Sequence, residues 1–225
     1  LQDYFDKTGG YPSKYASNEY SFYFQECYNS YIARKRFIES KVARHNPSLG
    51  YLCLADMMIK NKITRVWTTN FDALTETAIN IINPQQELLV CSSTNSGSIK
   101  NFNPTYPSVC KLHGDFRYDN LQNTDDELKA LEITLQEHWL HCLTNRGLIV
   151  IGYSGNDESI MSFFEKHITD PNFISKGLYW TTLKGVPVSN RVSALIENAK
   201  SSGRNADIVE ISTFDSLLYA IYKSL

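Results

Sequence analysis

The sequence has 225 residues, enough for one large domain or two small ones at about 150 residues per domain. Apolar residues make up 42% and charged residues 20%, which is typical of a globular protein. The net charge of −2 does not favour a nucleic-acid partner, and no segment approaches the ~20 apolar residues that span a bilayer. The composition therefore predicts a globular protein without a membrane span.

The five cysteines are odd in number, widely spaced and free of any Cys-x-x-Cys pair; they are Cys27, Cys53, Cys91, Cys110 and Cys142. This pattern predicts neither a zinc ribbon nor a disulfide framework. Free thiols fit a reducing compartment, so we expect a cytoplasmic protein. The sequence opens at Leu1 rather than methionine, so we expect an earlier segment or leader to have been lost.

The N-terminal part, residues 15–62, is predicted to be mainly helical. One apolar helical face is formed by Tyr20, Tyr23, Phe24, Cys27, Tyr28 and Tyr31. A second helix is predicted from about Leu49 to Lys60. Thr94 to Ser108, rich in Asn, Ser, Gly and Pro, is expected to be the least structured stretch.

From residue 63 to residue 225, short apolar segments alternate with amphipathic ones. The predicted strands are Ile63–Thr69, Glu87–Ser92, Val109–Leu112, Gly147–Gly152, Gly177–Thr182 and Ala206–Ile211. Strands that alternate with helices predict an α/β fold, a Rossmann-like parallel sheet of about six strands with helices on both faces. The continuous apolar run of Gly147–Gly152 is typical of a strand buried on both faces. We expect a single domain over residues 1–225.

Polar or glycine-rich clusters follow four of the predicted strands: Thr69–Asp72, His113–Asp115, Gly152–Asp157 and Thr181–Thr182. Open parallel sheets bind ligands beyond the carboxyl ends of their strands. We therefore expect these clusters to lie along one edge and to form a ligand site.

His113 is a candidate general base, because imidazole titrates near neutral pH and Gly114 lets a ligand come close. The alternative is a structural histidine, which is the more common role of a lone residue. The other four histidines lie in predicted helices or at their edges and are interpreted as structural; they are His45, His138, His141 and His167.

Asn70 and Asp72 have two interpretations, since both residue types also cap helices. Helix capping explains only one of the two residues. At the end of a strand, an amide can also bind a water or a ligand carboxamide, and a carboxylate can accept a hydrogen bond from a ribose hydroxyl. Gly152–Asp157 is either a turn into a helix capped by Asp157 or a cradle for a nucleotide. Ser154 does not lie in a Gly-x-Ser-x-Gly elbow, and the scattered acids and histidines do not predict a metal site.

Three motifs in this order resemble the sirtuin (silent information regulator two) superfamily: Trp67–Asp72, Lys111–Asp115, and Gly152-Tyr-Ser-Gly155 with Asp157. The resemblance runs from about Tyr20 to the C-terminus. It is closest to a bacterial branch, the sirtuin-like NAD-hydrolase domains of antiphage defence proteins.

The resemblance implies a role for each motif residue. Asn70 and His113 would form the catalytic pair, and Asp72 would contact the ribose on the nicotinamide side. Gly152 and Ser154 would hold the adenosine half of NAD. The resemblance also implies that Thr69 and Asp157 contribute to NAD binding.

Two features of sirtuins are missing from the sequence. Sirtuins open with a Gly-Ala-Gly-x-Ser loop after their first strand, and nothing similar occurs here, so the first strand and the glycine-rich loop are expected to lie outside this sequence. Sirtuin deacylases also carry a four-cysteine zinc module between the second and third motifs, where this chain has only Cys142. We therefore expect no zinc module, no bound metal and no acyl-lysine cleft.

The resemblance implies a hydrolase that uses NAD as its substrate and releases nicotinamide and ADP-ribose, or cyclic ADP-ribose. The expected context is bacterial antiphage defence, with a homo-oligomer and a further domain or partner protein that triggers activity. The alternatives are an NAD-dependent protein deacylase or ADP-ribosyltransferase, and a non-catalytic module that senses NAD or ADP-ribose.

Overall fold

The computed structural model describes residues 22, 26–28, 30–42, 45–92, 106–113 and 132–225. Half of the predicted helical face, Tyr20, Tyr23 and Phe24, lies outside these residues, as do residues 94–105 and the Gly114–Asp115 pair. None of the helices within these ranges has the length and apolar character needed to cross a membrane.

Helices and strands alternate from residue 49 to residue 92 and again from residue 108 onward, in agreement with the predicted pattern. The helices are α1 (Tyr31–Val42), α2 (Leu49–Ile59), α3 (Leu74–Ile82), α4 (Glu132–Leu143), α5 (Glu158–His167), α6 (Asn190–Ser201) and α7 (Phe214–Ser224). The strands are β1 (Arg65–Thr68), β2 (Leu89–Ser92), β3 (Ser108–Lys111), β4 (Gly147–Val150), β5 (Gly177–Leu183) and β6 (Ala206–Ile211). All six predicted strands are present, with ends displaced by up to two residues.

The strands form two parallel three-stranded sheets, with the orders β1–β3–β2 and β4–β5–β6. The predicted α/β class with parallel strands is confirmed. One detail differs from the prediction, because the six strands do not form one continuous sheet: among the described residues, no strand joins β1 to β4.

Helices cover both faces of the strands and bury two hydrophobic cores. The first core joins α4, α5 and α6 to both sheets, and its buried side chains include Cys110, Trp139, Phe163, Trp180 and Leu195. The second core joins α2, α3 and α7, and Val109 of β3 is buried in it. Each fully buried aliphatic or aromatic side chain contributes about 1.5–3 kcal/mol. The two cores therefore hold the strands in one layer between two layers of helices.

The first turns of α6 and α7 are stabilised by side chains that precede them. Ser189 accepts a hydrogen bond from the backbone of Val192, and Thr213 and Ser216 form a reciprocal capping box. Asp215 in the first turn of α7 accepts hydrogen bonds from Ser48 Oγ (2.5 Å) and from the backbone N of Gly50 (2.9 Å). Asp215 thereby ties the start of α7 to the start of α2.

Four of the five cysteines are buried and only Cys27 is exposed. Burial raises the pKa of Cys53, Cys91, Cys110 and Cys142, so these thiols remain protonated at neutral pH. Cys91 and Cys110 are partners in the β2–β3 register, and the Arg65 guanidinium contacts Cys142 Sγ.

The prediction that Gly147–Gly152 is buried on both faces is wrong. Exposed and half-buried residues alternate along β4, and Ile149 is 43% exposed. The physical reason is the position of the strand, because β4 pairs with β5 on one edge only within the described part of the chain.

Gly155 and Gly203 provide a matched test of packing beside the third motif. Both have a positive φ, +78° and +79°, but a Cβ on Gly155 would lie 2.7 Å from Val192 Cγ2, whereas a Cβ on Gly203 would have nothing within 4 Å. Gly203→Ala is expected to cost about 1 kcal/mol through backbone strain alone. Gly155→Ala is expected to cost about 2–4 kcal/mol because it adds overpacking. Urea unfolding of the two variants checks this, and equal losses would contradict it.

Candidate functional site at the carboxyl ends of the strands

The parallel pairing of β1 with β3 brings the first two motifs to one edge of their sheet. Thr68 and Lys111 are partners at the ends of these strands, and Asn70 and His113 each follow two residues later. The ring centroids of Phe71 and His113 lie 6.3 Å apart, so the two segments are neighbours. The predicted placement of Asn70 and His113 at the same edge is therefore observed.

His113 is paired with Asp157, which belongs to the third motif. His113 Nε2 lies 3.1 Å from Asp157 Oδ1, and the two side chains are 17% and 20% exposed. Donation of the Nε2 proton to the carboxylate leaves Nδ1 of the neutral ring with its lone pair. The pair can thus hold the imidazole in one tautomer and one orientation, as a general base requires.

The side chain of Asp157 does not serve as a helix cap. Asp157 occupies the position before α5, but its carboxylate makes no capping hydrogen bond. Burial raises the pKa of Asp157, yet hydrogen bonds from His113 and from the Tyr153 hydroxyl outweigh burial and lower it overall. The carboxylate is therefore ionised at neutral pH and faces His113 rather than the helix backbone.

The sequence left two roles open for Asp72 and Asn70, a helix cap and a polar group at the strand end, and the structure divides these roles between them. Asp72 Oδ1 accepts a hydrogen bond from the backbone N of Leu74 (3.0 Å), so Asp72 orders the start of α3. The Asn70 side chain instead lies near the Tyr51 hydroxyl and lowers the pKa of that group. Burial and the nearby carboxylates, Asp72 foremost, raise the pKa of Tyr51 to about 12. Asn70 thus presents a polar amide at the strand end and is itself exposed.

Lys111 is a site residue for which the sequence analysis proposed no role. Its side chain is fully buried at the end of β3, where the ammonium lies 3.0 Å from Glu76 Oε1 and donates to the backbone carbonyl of Asp72. Burial of an ammonium is costly unless it is paired and hydrogen-bonded. Lys111 therefore fixes the chain between β1 and α3, including the segment that carries Asn70. The signal available in sequence was a charged residue inside a short apolar strand.

A cavity of about 1050 Å³ runs along β1 and β4 and reaches this edge of the strands. Its rim is lined by Thr69, Asn70, Asp72, Gly152 and Tyr153. This volume is at the upper end of the range found for small-molecule sites, roughly 300–1,000 Å³. A Cβ built on Gly152 would meet nothing within 4 Å, so the backbone there is open to a ligand.

The remaining predicted site residues lie beside this cavity rather than in its lining. His113 and Asp157 form their own pair, and Ser154 is exposed on the loop between β4 and α5. Within the described ranges, His, Cys, Asp and Glu side chains form no group of three or more suited to a metal ion.

The fold and the strand-end site define a doubly wound α/β protein with an amide, an imidazole–carboxylate pair and an open glycine beside one cavity. The family model of the SIR2-like domain matches residues 64–201, more than half of the chain, and the chain belongs to this family. Comparison with curated proteins finds none that matches the sequence. The sirtuin-like resemblance is thus confirmed at the level of the superfamily, and membership is consistent with an NAD-related activity.

The buried Lys111–Glu76 pair is expected to be far more important for stability than a comparable surface pair. Lys111→Met leaves the Glu76 carboxylate, only 12% exposed, without its ammonium partner, and is expected to cost about 3–5 kcal/mol. The double variant Lys111→Met/Glu76→Leu should recover part of that loss. The control is Lys60→Met, which breaks an exposed 2.6 Å pair with Asp56 and should change stability little. Denaturant unfolding measures all three, and equal losses for the two lysines would contradict the assignment.

His138 on α4 is expected to make stability fall in mildly acidic solution. Burial, with the nearby charge of Arg65, lowers the pKa of His138 from 6.5 to about 4. Between these values the unfolded chain binds a proton that the folded protein does not, so stability is present above pH 6.5 and is lost as the pH falls toward 4. His138→Gln should reduce the drop in melting temperature between pH 7 and pH 4.5, whereas the exposed His45→Gln should not. An unchanged drop in the His138 variant would contradict this.

Proposed function

We propose that this SIR2-like domain cleaves the nicotinamide–ribose bond of NAD and transfers the ribosyl group to water. The observation that carries the proposal is the His113–Asp157 pair at 3.1 Å, on the same strand edge as Asn70 and beside an open cavity. A pure binding module has no need of an imidazole held in one tautomer by a half-buried carboxylate.

The proposed reaction breaks the bond between C1′ of the ribose and the ring nitrogen of nicotinamide. Nicotinamide leaves with the bonding electron pair as a neutral molecule, and the ribose develops oxocarbenium character. A water oxygen then forms the new bond to C1′ and gives ADP-ribose, and one proton is released. His113, with Nδ1 as its free acceptor, would take that proton or activate a ribose hydroxyl, and the Asn70 amide would position the water.

Water, rather than an acyl-lysine amide, is proposed as the acceptor because the chain lacks the cysteines of a zinc module. The interval between the second and third motifs holds one cysteine, Cys142, and this residue is buried in the core. A four-cysteine zinc module cannot be built from it. Thr69, Asp72, Gly152 and Ser154 are proposed to bind the nucleotide, the first three from the cavity rim.

The biological setting is proposed from the same resemblance. The chain would act as a single NAD-binding domain within a cytoplasmic homo-oligomer of a bacterial antiphage defence protein. A further domain or a partner protein would trigger its activity.

His113→Gln and Asn70→Ala are expected to abolish NAD cleavage without unfolding the protein. Glutamine keeps an N–H donor that can face Asp157, but it cannot accept a proton at neutral pH. Loss of a positioned base typically costs ~10²–10⁴-fold in rate. Nicotinamide release by the full-length, activated protein measures activity, and the melting temperature measures folding.

Two variants serve as controls for these effects. His138→Gln alters a half-buried histidine on α4 and should leave cleavage intact. Tyr51→Phe removes the hydroxyl that lies near Asn70 and should retain most activity, because the amide itself is the proposed group. A His113→Gln variant as active as wild type refutes the catalytic assignment. Wild-type protein that binds NAD in calorimetry but never releases nicotinamide favours the sensor alternative.

A further inference from the structure

Asp157 occupies the position just before α5, where an aspartate ordinarily caps the helix. Aspartate, serine and threonine are preferred there because their side-chain oxygens accept hydrogen bonds from the first helical turn. Ser189 and Thr213 do so at the starts of α6 and α7. Asp157 has the extended backbone of a cap residue, with φ −74° and ψ 119°, but its side chain makes no such bond. Another interaction therefore holds the carboxylate away from α5.

The Tyr153 hydroxyl lies directly beside Asp157. The backbone N of Asp157 donates a hydrogen bond to the Tyr153 hydroxyl oxygen over 3.3 Å. In a capping box, the side chain of the third helical residue accepts this bond. In α5 that residue is Ile160, which has no polar side chain. Tyr153 thus takes the place that a glutamate or glutamine within the helix would otherwise have.

The Tyr153 hydroxyl keeps its own proton. Burial and the neighbouring Asp157 carboxylate raise the pKa of Tyr153. At neutral pH the site therefore places a neutral phenol beside the ionised Asp157. A phenol oxygen that accepts from a backbone N–H still has its O–H to donate, and a carboxylate only accepts. The chemistry of the two groups thus favours donation from Tyr153 to the carboxylate.

Tyr153 is itself fixed on the hydrophobic core. Its ring packs against that of Trp180, with centroids 5.7 Å apart, and its backbone carbonyl accepts a hydrogen bond from Trp180 Nε1 over 3.1 Å. Trp180 is only 1% exposed. Gly155 brings the same loop close to this indole, since a Cβ there would lie 3.4 Å from Trp180 Cζ2. The core therefore sets the position of the phenol.

Two sets of donors compete for the Asp157 carboxylate. One is His113, whose Nε2 lies 3.1 Å from Asp157 Oδ1. The other is the backbone N–H groups in the first turn of α5, which an aspartate at this position can reach. A carboxylate has acceptor positions for both the imidazole and the phenol. A fixed phenol beside it therefore favours the orientation that faces His113.

We propose that Tyr153 is a positioning residue of the site, whose hydroxyl keeps the Asp157 carboxylate turned toward His113 and away from the first turn of α5. Tyr153 acts through Asp157, and this role requires no contact with the bond that breaks. Its effect on NAD cleavage rests on the proposed function, whereas its effect on the orientation of Asp157 and His113 does not.

The tautomer of His113 in the full-length protein without NAD tests this proposal. Tyr153→Phe keeps the ring on Trp180 and removes only the hydroxyl. Nitrogen-15 NMR with ring-labelled histidine, assigned with His113→Gln and recorded in basic solution where an imidazole is neutral, distinguishes protonated Nε2 from protonated Nδ1. Wild-type protein should carry the proton on Nε2, and Tyr153→Phe should show a second population with the proton on Nδ1. Protonated Nδ1 in the wild type, or an unchanged ring in Tyr153→Phe, overturns the proposal.

Tyr179→Phe is the matched control. Tyr179 precedes Trp180 on β5, is 38% exposed and loses the same hydroxyl, so this variant should leave the His113 ring unchanged. Both variants keep their aromatic rings and should melt close to the wild type. An equal change of tautomer in the two variants, or a much lower melting temperature of Tyr153→Phe alone, contradicts a specific positioning role.

The kinetics of nicotinamide release provide an independent measurement. Tyr153→Phe is expected to lower kcat roughly tenfold, less than the ~10²–10⁴-fold loss of the base itself, and to leave KM within about twofold. In Asp157→Ala the hydroxyl has no carboxylate to orient, so adding Tyr153→Phe should lower kcat by no more than about twofold. A higher KM at unchanged kcat would assign the hydroxyl to NAD binding, and multiplication of the two single effects would show independent action. Either result sinks the proposal.

Failure of this proposal is distinguishable from failure of the proposed activity. The tautomer measurement needs no NAD, so it decides the role of Tyr153 even where the wild-type protein releases no nicotinamide. A changed tautomer in Tyr153→Phe together with an inactive wild type supports the positioning role and counts against NAD cleavage alone.

Discussion

The parallel pairing of β1 with β3 is the interaction on which the site depends. It sets Thr68 opposite Lys111, and this register places Asn70 and His113 at a common edge although 42 residues separate them in sequence. A slip of one residue would turn the side chains of a whole strand to the opposite face. Val109 and Cys110 of β3 face different cores, so the register is fixed from both sides by packing.

Charge is arranged around this edge in two separate pairs. Lys111 and Glu76 lie beneath the segment that carries Asn70, and they neutralise each other in a place with little access to water. His113 and Asp157 lie nearer the surface, where both side chains keep some exposure. The first pair holds the backbone, and the second joins the second motif to the third. Lys111 and His113 of the second motif therefore have different partners and different surroundings.

The sequence was informative about the fold because its signals are local. Alternation of apolar strands with helices such as α5 and α6 depends only on neighbouring residues, and it predicted all six strands and the helices between them. The strand-end rule also predicted that Asn70 and His113 share an edge. The His113–Asp157 contact and the proximity of Asn70 to Tyr51 were not predictable, because each brings together residues from different elements. The exposure of β4 was missed for the same reason, since burial depends on which strand lies beside it.

The distribution of the cysteines has a practical consequence. The thiolate is the nucleophile in alkylation, and burial disfavours this form at Cys53, Cys91, Cys110 and Cys142, while Cys27 is exposed. Among these 225 residues, a maleimide dye added in slight excess is therefore expected to attach at Cys27, far in sequence from Asn70 and His113. The wild-type chain thus carries its own attachment point for fluorescence experiments, and no cysteine has to be removed from the core to create it.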